Sequence, residues 1–242
     1  MHHFFIEPSQ IQDGVICVEG ADVNHIRNVL RMKPGAQAMF SDETGAGYLC
    51  ALESMEPVRF RIMDFFKEGR ELPSRICLFQ GIPKGDKMDL VIQKATELGV
   101  SDIYPVSTSR TVVKLDAKKA EKKGSRWQEI AKAAAKQCGR SKIPCVHEVM
   151  TFAQCFIAAG ELDVLLIPYE RAEGMGDTRR AVEGIQPGQS IGIFIGPEGG
   201  FEEKEVEQAV SQGAAPITLG KRILRTETAG LVILSILLYH LE

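Results

Sequence analysis

The chain has 242 residues, 44% of them apolar and 25% charged, with a formal net charge of −3. That length suffices for one large domain or for a small and a medium one, and the balance of apolar and charged residues is that of a globular fold. A chain of this charge is no polycation, so any nucleic-acid role must rest on local basic patches rather than on global attraction.

The first part, to about Phe66, reads as short strands broken by turns. Ile11–Val18 carries a turn and then a strand, Gln37–Phe40 and Tyr48–Leu52 flank the hairpin-like connection Ser41–Gly47, and Val58–Met63 alternates as a half-buried strand does. Ala21–Leu30 is a short helix that Lys33-Pro34-Gly35 stops. These elements predict a small mostly-β module of barrel type over residues 1–70. The charged stretch Lys67–Pro73, with its Gly and Pro, is the best domain boundary in the chain.

From residue 74 to 242 strands alternate with helices. Ile76–Phe79, Asp102–Val106, Asp163–Ile167, Ser190–Ile195 and Ala215–Leu219 read as strands. Lys87–Leu98 is an amphipathic helix with Met88, Val91, Ile92, Ala95 and Leu98 on one face, ended by Gly99. Ala117–Cys138 is helical with a break at Gly124, and Glu202–Gln212 and Thr228–Leu241 are helices. The alternation predicts an α/β domain with a mainly parallel sheet, whose ligands bind beyond the carboxyl ends of the strands. The last helix is apolar nearly all round, so it is either central to the domain or packed on a second subunit.

Two glycine-containing loops lie at such strand ends. The first, Ile195-Gly-Pro-Glu-Gly-Gly-Phe201, has so little side chain that a ligand can approach its backbone. It is neither a Rossmann fingerprint nor a P-loop, since the spacing fails and no Gly-Lys-Ser/Thr follows. Lys84-Gly-Asp-Lys87 is faintly P-loop-like, but its spacing is wrong and it is set aside. The second, Leu219-Gly-Lys-Arg-Ile-Leu-Arg-Thr-Glu-Thr228, opens the final helix. Thr226 as a cap and Glu227 at the positive end of the helix dipole explain part of it cheaply. Arg225 is a poor neighbour for a helix N-terminus, unless a phosphate or a developing negative charge is bound there.

Among the basic residues, the run Lys118–Lys123 is a solvated helix face. Arg27, Arg31, Arg110 and Arg140 stand beside Gly, Thr, Ser or Asn in loop-like settings that suit phosphate contact better. The six cysteines form no C-x-x-C pair and no cluster with zinc spacing, so no metal is expected. Free thiols in this number suit a reducing cytoplasm. The five histidines belong to no Ser-His-Asp or Cys-His set. The N-terminus lacks the layout of a signal peptide, and Leu231–Leu238 is far shorter than the roughly 20 residues of a membrane helix, so the expected location is the cytoplasm.

The paired loops, together with His3-Phe-Phe5, His25–Arg31, Lys94–Gly99 and Gln137-Cys-Gly-Arg140, resemble the SPOUT class of RNA methyltransferases. More narrowly they are similar to the bacterial ribosomal RNA small-subunit methyltransferase E family, along nearly the whole chain. The resemblance implies a PUA-like RNA-binding barrel, followed by an α/β domain with a parallel sheet and a trefoil knot. It implies a homodimer that uses S-adenosylmethionine to methylate N3 of a uridine in 16S ribosomal RNA, within the small ribosomal subunit. Two departures stand out. Lys136 replaces a frequent Glu, which bears on RNA contact or a local ion pair. Glu202 and Glu203 stand where many relatives have a capping Ser or Thr.

Mapped onto this sequence, the resemblance implies a cofactor site made by Ile167, Pro168, Tyr169, Glu170, Ile195, Gly196, Pro197, Gly200, Leu219, Gly220, Ile223, Leu224, Thr226 and Thr228. Backbone at Gly196 and Leu219–Leu224 would hold adenine and ribose, while Pro168–Glu170 would close the pocket. Arg225 would stabilise the uracil oxyanion or position a phosphate, with Glu227 the first candidate base and Glu198 the second. Two other readings compete: an RNA-binding ribosome-assembly factor without catalysis, and a SPOUT enzyme acting on another RNA such as a tRNA ribose.

Overall fold

The computed structural model describes residues 1–42, 44–67, 71–172 and 174–242. They form two units, Met1–Glu71 with Ala135–Ile143, and Leu72–Ala134 with Pro144–Glu242. Of the expected boundary Lys67–Pro73, residues 68–70 lie outside the described ones, as does Glu43 of the Ser41–Gly47 connection.

In the first unit the strands are β1 (His2–Ile6), β2 (Ile11–Gln12), β3 (Val15–Cys17), β4 (Gln37–Asp42), β5 (Ala46–Met55) and β6 (Val58–Lys67). They pair in the order β1-β4-β5-β6-β3-β2, with β1 parallel to β4 and the rest antiparallel. The period-2 pattern of β6 works as expected: Val58 and Phe60 are buried, whereas Arg59 and Arg61 face solvent. Phe40 anchors this core, stacked on Phe4 at 5.3 Å and edge-on to Phe60 at 4.9 Å. The short helix begins as α1 (Ala21–Asn24) and continues as a π-turn, His25–Val29, that buries Ile26.

Residues 135–143 group with this unit, although the expected split put them in the other. Lys136 reaches Asp22 at 2.8 Å and lies over the Phe4 ring, 5.6 Å from its centroid. Arg140 pairs with Glu71 at 2.6 Å. A local ion pair is therefore what Lys136 makes.

The second unit holds β7 (Ile76–Gly81), α2 (Lys87–Glu97), β8 (Asp102–Ser107), α3 (Ala117–Cys138, whose last turn groups with the first unit), β9 (Cys145–Val146), β10 (Met150–Thr151) and α4 (Phe152–Ala159). It continues with β11 (Val164–Pro168), α5 (Met175–Glu183), β12 (Ile191–Ile195), α6 (Glu203–Ser211), β13 (Ala214–Ile217) and α7 (Thr226–Leu241). The sheet runs β10-β8-β7-β12-β11-β13, with β9 also on β8, and each of its pairings is parallel. One face of β7 and β12 packs on residues of α2, α3, α5 and α7, including Ile92, Trp127, Val182 and Leu234. The other face packs on α4 and α6 through Phe152, Cys155 and Val206. Burial on both faces is why these strands read as continuous apolar runs.

Helix α3 runs unbroken through Gly124, contrary to the expected break, because the buried Trp127 and Ala131 beyond it hold the helix in the core. No helix among the described residues is long and apolar enough to cross a membrane.

Candidate functional site

The carboxyl ends of three neighbouring parallel strands, β12, β11 and β13, converge on a cavity of about 460 Å3. Its floor is the turn after β12. A Cβ on Gly196 would lie 2.9 Å from the Gly200 carbonyl carbon, and one on Gly81 would lie 2.6 Å from the Pro197 nitrogen. The turn is thus folded tightly on itself and against the end of β7, which only glycine at both positions permits.

Its far wall is the loop from Thr218 to Arg225. Thr178 of α5, itself buried, ties that loop down: its hydroxyl donates to the Thr218 carbonyl at 2.9 Å and accepts the Thr218 N–H at 2.9 Å. Tyr169 at the end of β11 donates its N–H to Ile217 at 2.9 Å, which fixes the third side.

Thr226 does not cap α7 as expected. Arg225 is the capping residue, and the Thr226 hydroxyl instead donates to the Gly196 carbonyl at 2.6 Å while accepting from Gln80 at 2.9 Å. One buried hydroxyl thereby joins the ends of β7, β12 and the start of α7. The departures at Glu202 and Glu203 are offset by Glu205, whose carboxylate accepts the Glu202 N–H at 2.8 Å and the Ser109 N–H at 2.8 Å.

Of the residues assigned to a cofactor, the cavity is lined by Pro168, Tyr169, Glu170, Ile195, Gly196, Pro197, Gly200, Leu219, Gly220, Ile223, Leu224 and Thr226. Ile167 is fully buried in the core below, and Thr228 lies on the exposed side of α7, so neither lines it. Glu198 and Arg225 line it as well. Glu227 stands just behind, its side chain 14% exposed, with Oε2 buried and without a hydrogen-bond donor.

Lys87, the first residue of α2, also lines the cavity. Its ammonium is 2.7 Å from Glu198 Oε1 and 3.9 Å from Glu227 Oε2. Burial pushes the Glu198 carboxyl up, but Lys87 and the N–H of Lys84, 3.0 Å away, outweigh it and hold that carboxyl below its ordinary value. Sequence reasoning missed Lys87, because Lys84-Gly-Asp-Lys87 is not a phosphate loop and carries no other signal. It missed Thr178 for a similar reason: a helix threonine is unremarkable until its partner is known.

Of the four arginines expected at phosphates, Arg27, Arg31 and Arg140 belong to the first unit and Arg110 to the second. Arg110 donates to the Gly199 carbonyl at 2.7 Å on the rim of the turn. Arg31 is exposed with a left-handed backbone, φ 49°. Arg27 donates to the Met55 carbonyl and its Nε is buried. Arg140 is spent on Glu71, with its side chain only 7% exposed, which makes it a structural clasp rather than a phosphate contact. Lys221, Arg222 and Arg225 are the exposed cations at the cavity itself.

Asp102, Cys145 and His147 approach closely enough to share a metal ion, a grouping that the cysteine spacing did not signal. The carboxylate is already engaged, however: Arg75 Nε lies 2.9 Å from Oδ2 and His147 Nε2 lies 2.7 Å from Oδ1. The imidazole stacks on Tyr104 at 3.9 Å, Tyr104 on Phe79 at 4.7 Å and Phe79 on Phe194 at 4.6 Å, a ladder of rings across the strands. The cluster is an anchor for the sheet edge.

Comparison with known proteins bears on both units. Residues 70–238 match the model of an RNA methyltransferase domain and residues 18–62 that of an RNA methyltransferase PUA domain. A Bacillus subtilis protein named ribosomal RNA small subunit methyltransferase E is 39% identical, the match covering 100% of this chain and 98% of that one. A crystal structure of the Neisseria gonorrhoeae protein of that name, bound to S-adenosyl methionine, superposes with a TM-score of 0.82 at 33% identity, over 97% of this chain and 95% of that one. A further crystal structure, of a protein described only as hypothetical, gives a TM-score of 0.91 at 39% identity, over 99% and 98% of the two chains.

Proposed function

The chain belongs to the ribosomal RNA small subunit methyltransferase E family, and on that premise we propose that it transfers a methyl group from S-adenosylmethionine to N3 of a uridine in 16S ribosomal RNA. The observation that carries this reading is the cavity built from bare main chain at the ends of β12 and β13, with ionised side chains on one wall.

The residues present fit such a donor. Main-chain groups of 219–224 offer donors and acceptors to an adenine edge and ribose hydroxyls, and Pro168, Ile195 and Leu224 supply apolar surface for a ring. Bound there, the donor supplies an electrophilic methyl carbon. The chain's own side chains must then remove the proton from N3 and hold the base in line.

Glu227 suits the proton better than Glu198. Its Oε2 is buried and lacks a donor, an acceptor that the N–H of a base would satisfy. Glu198 already accepts from Lys87 and Lys84. Arg225, Lys221 and Arg222 face solvent at the mouth and would meet RNA phosphates. A target inside folded RNA has to leave its stack to reach a recess at the strand ends. The first unit would hold neighbouring RNA as a PUA-like module, and the active form would be a homodimer with a knotted second domain.

The test is transfer of labelled methyl from S-adenosylmethionine to small subunits and to naked 16S RNA, both from a strain lacking the gene, with the product nucleoside identified by mass spectrometry. Label on N3-methyluridine is the expected result. Label on a ribose, or binding of RNA with no transfer, would replace this reading.

A further inference from the structure

We propose that Lys87 is a third functional side chain of this site, a positioning residue whose ammonium stands between Glu198 and Glu227 and offsets negative charge as the uracil ring loses its N3 proton. The inference rests on the uridine-N3 reading. The geometry that motivates it is the arrangement Glu198–Lys87–Glu227, with separations of 2.7 Å and 3.9 Å, on three segments distant in sequence: the start of α2, the turn after β12 and the first turn of α7.

Two carboxylates so near a reacting base would oppose the formation of an anion beside them. With Lys87 between them the wall carries one net negative charge instead of two. The N3 proton passes to Glu227 Oε2, the N3 electron pair attacks the methyl carbon, and the sulfur leaves with the bonding pair. During that transfer the wall goes from one negative charge to none, as the ring gains one. The ammonium then faces a neutral carboxyl at its longer contact, so its charge is available to the ring oxygens.

Arg225 is less suited to this task. Its side chain is 81% exposed and 4.0 Å from Glu227 Oε1, whereas that of Lys87 is 35% exposed. Water screens the first charge more than the second. The charged groups facing Glu227 are thus Lys87 on α2 and Arg225 on its own helix, with Glu198 beyond Lys87.

The experiment compares wild type, Lys87→Met, Lys87→Gln and Lys87→Arg on RNA or subunits lacking the modification. It measures kcat and KM, with S-adenosylmethionine affinity by calorimetry and thermal melting as controls. The Met and Gln variants should bind S-adenosylmethionine within about threefold of wild type and lose about 100-fold in kcat with KM for RNA little changed. Arginine should restore most of the rate. Neutral variants with wild-type kcat overturn the inference. So does a loss of cofactor affinity that parallels the loss of rate, which would make Lys87 a wall of the pocket only. Should Lys87→Met fail to fold, Lys87→Gln decides on the same criteria. Wild type that leaves uridine N3 unmethylated overturns the underlying reading instead, and this inference with it.

Discussion

Glu227 and Glu198 share one wall in opposite conditions, one with a bare buried oxygen and the other held by two donors. Replacing Glu227 by Gln keeps its shape but removes its capacity to take a proton. Its kcat should fall by about 100-fold or more while S-adenosylmethionine affinity stays the same, as single-turnover kinetics and calorimetry would show. Arg225→Ala should instead raise KM for RNA with cofactor binding largely kept; a parallel loss of cofactor affinity would make Arg225 part of the pocket. Gly196 carries a different lesson. Its place in the site was legible from the glycine turn, whose bare backbone a ligand can approach. The structure shows that its Cβ would meet the Gly200 backbone. Gly196→Val should therefore lower the melting temperature as well as S-adenosylmethionine affinity. Normal affinity in that variant would show that the turn merely connects. Residue type was readable in the sequence, whereas the neighbour that makes the type necessary was not.

Among the elements, those with strong periodicity were legible: β6 alternates, β7 and β12 are unbroken apolar runs, and α2 has a clear stripe. The elements that escaped are short. Helix α4 has 8 residues, and β9 and β10 have 2 each, too few for a repeat to register. The Glu71–Arg140 clasp escaped for another reason, since it joins residues 69 apart in sequence. Burial pushes the Glu71 carboxyl up, but Arg140, the Lys142 N–H and Ser141 outweigh it and hold it below its ordinary 4.5. A carboxyl depressed in the folded state adds stability that is full above its unfolded value and is lost as pH falls through the folded one. Stability of the first unit should therefore decline below about pH 4.5 in wild type. Arg140→Ala leaves the half-buried Glu71 unpaired and should cost about 3 kcal/mol, read by urea unfolding. It should also flatten that acid decline. An unchanged unfolding midpoint would return Arg140 to the RNA-contact role assigned from sequence.

For the whole molecule, the last helix poses the remaining question. Gly230, Ile233, Leu234, Leu237 and Leu241 point into the core. Across the helix, Thr228, Val232, Ser235 and Tyr239 fall on one stripe by the 3.6-residue repeat, with Leu231 and Leu238 beside it. Tyr239 is 89% exposed and Thr228 and Ser235 are exposed too, so among the described residues nothing covers this side of α7. The near-continuous apolarity of residues 229–241 allowed either burial in the domain or contact with a second copy, and the fold uses only one side for the first. A second copy on the stripe would reach the start of α7, where Arg225 lines the cavity and Glu227 stands just behind it. The homodimer expected for this family would then shield the site as it forms. Val232→Asp with Tyr239→Glu puts two charges on the stripe without touching the core side. Light scattering should show wild type at twice the chain mass and the double variant at the single mass, with melting of the monomer still cooperative. Its S-adenosylmethionine affinity should fall by about tenfold or more, because one wall of the site opens to water. A double variant that stays dimeric would exclude this stripe as the contact, and a monomer with full affinity would show that each chain completes its cofactor site alone.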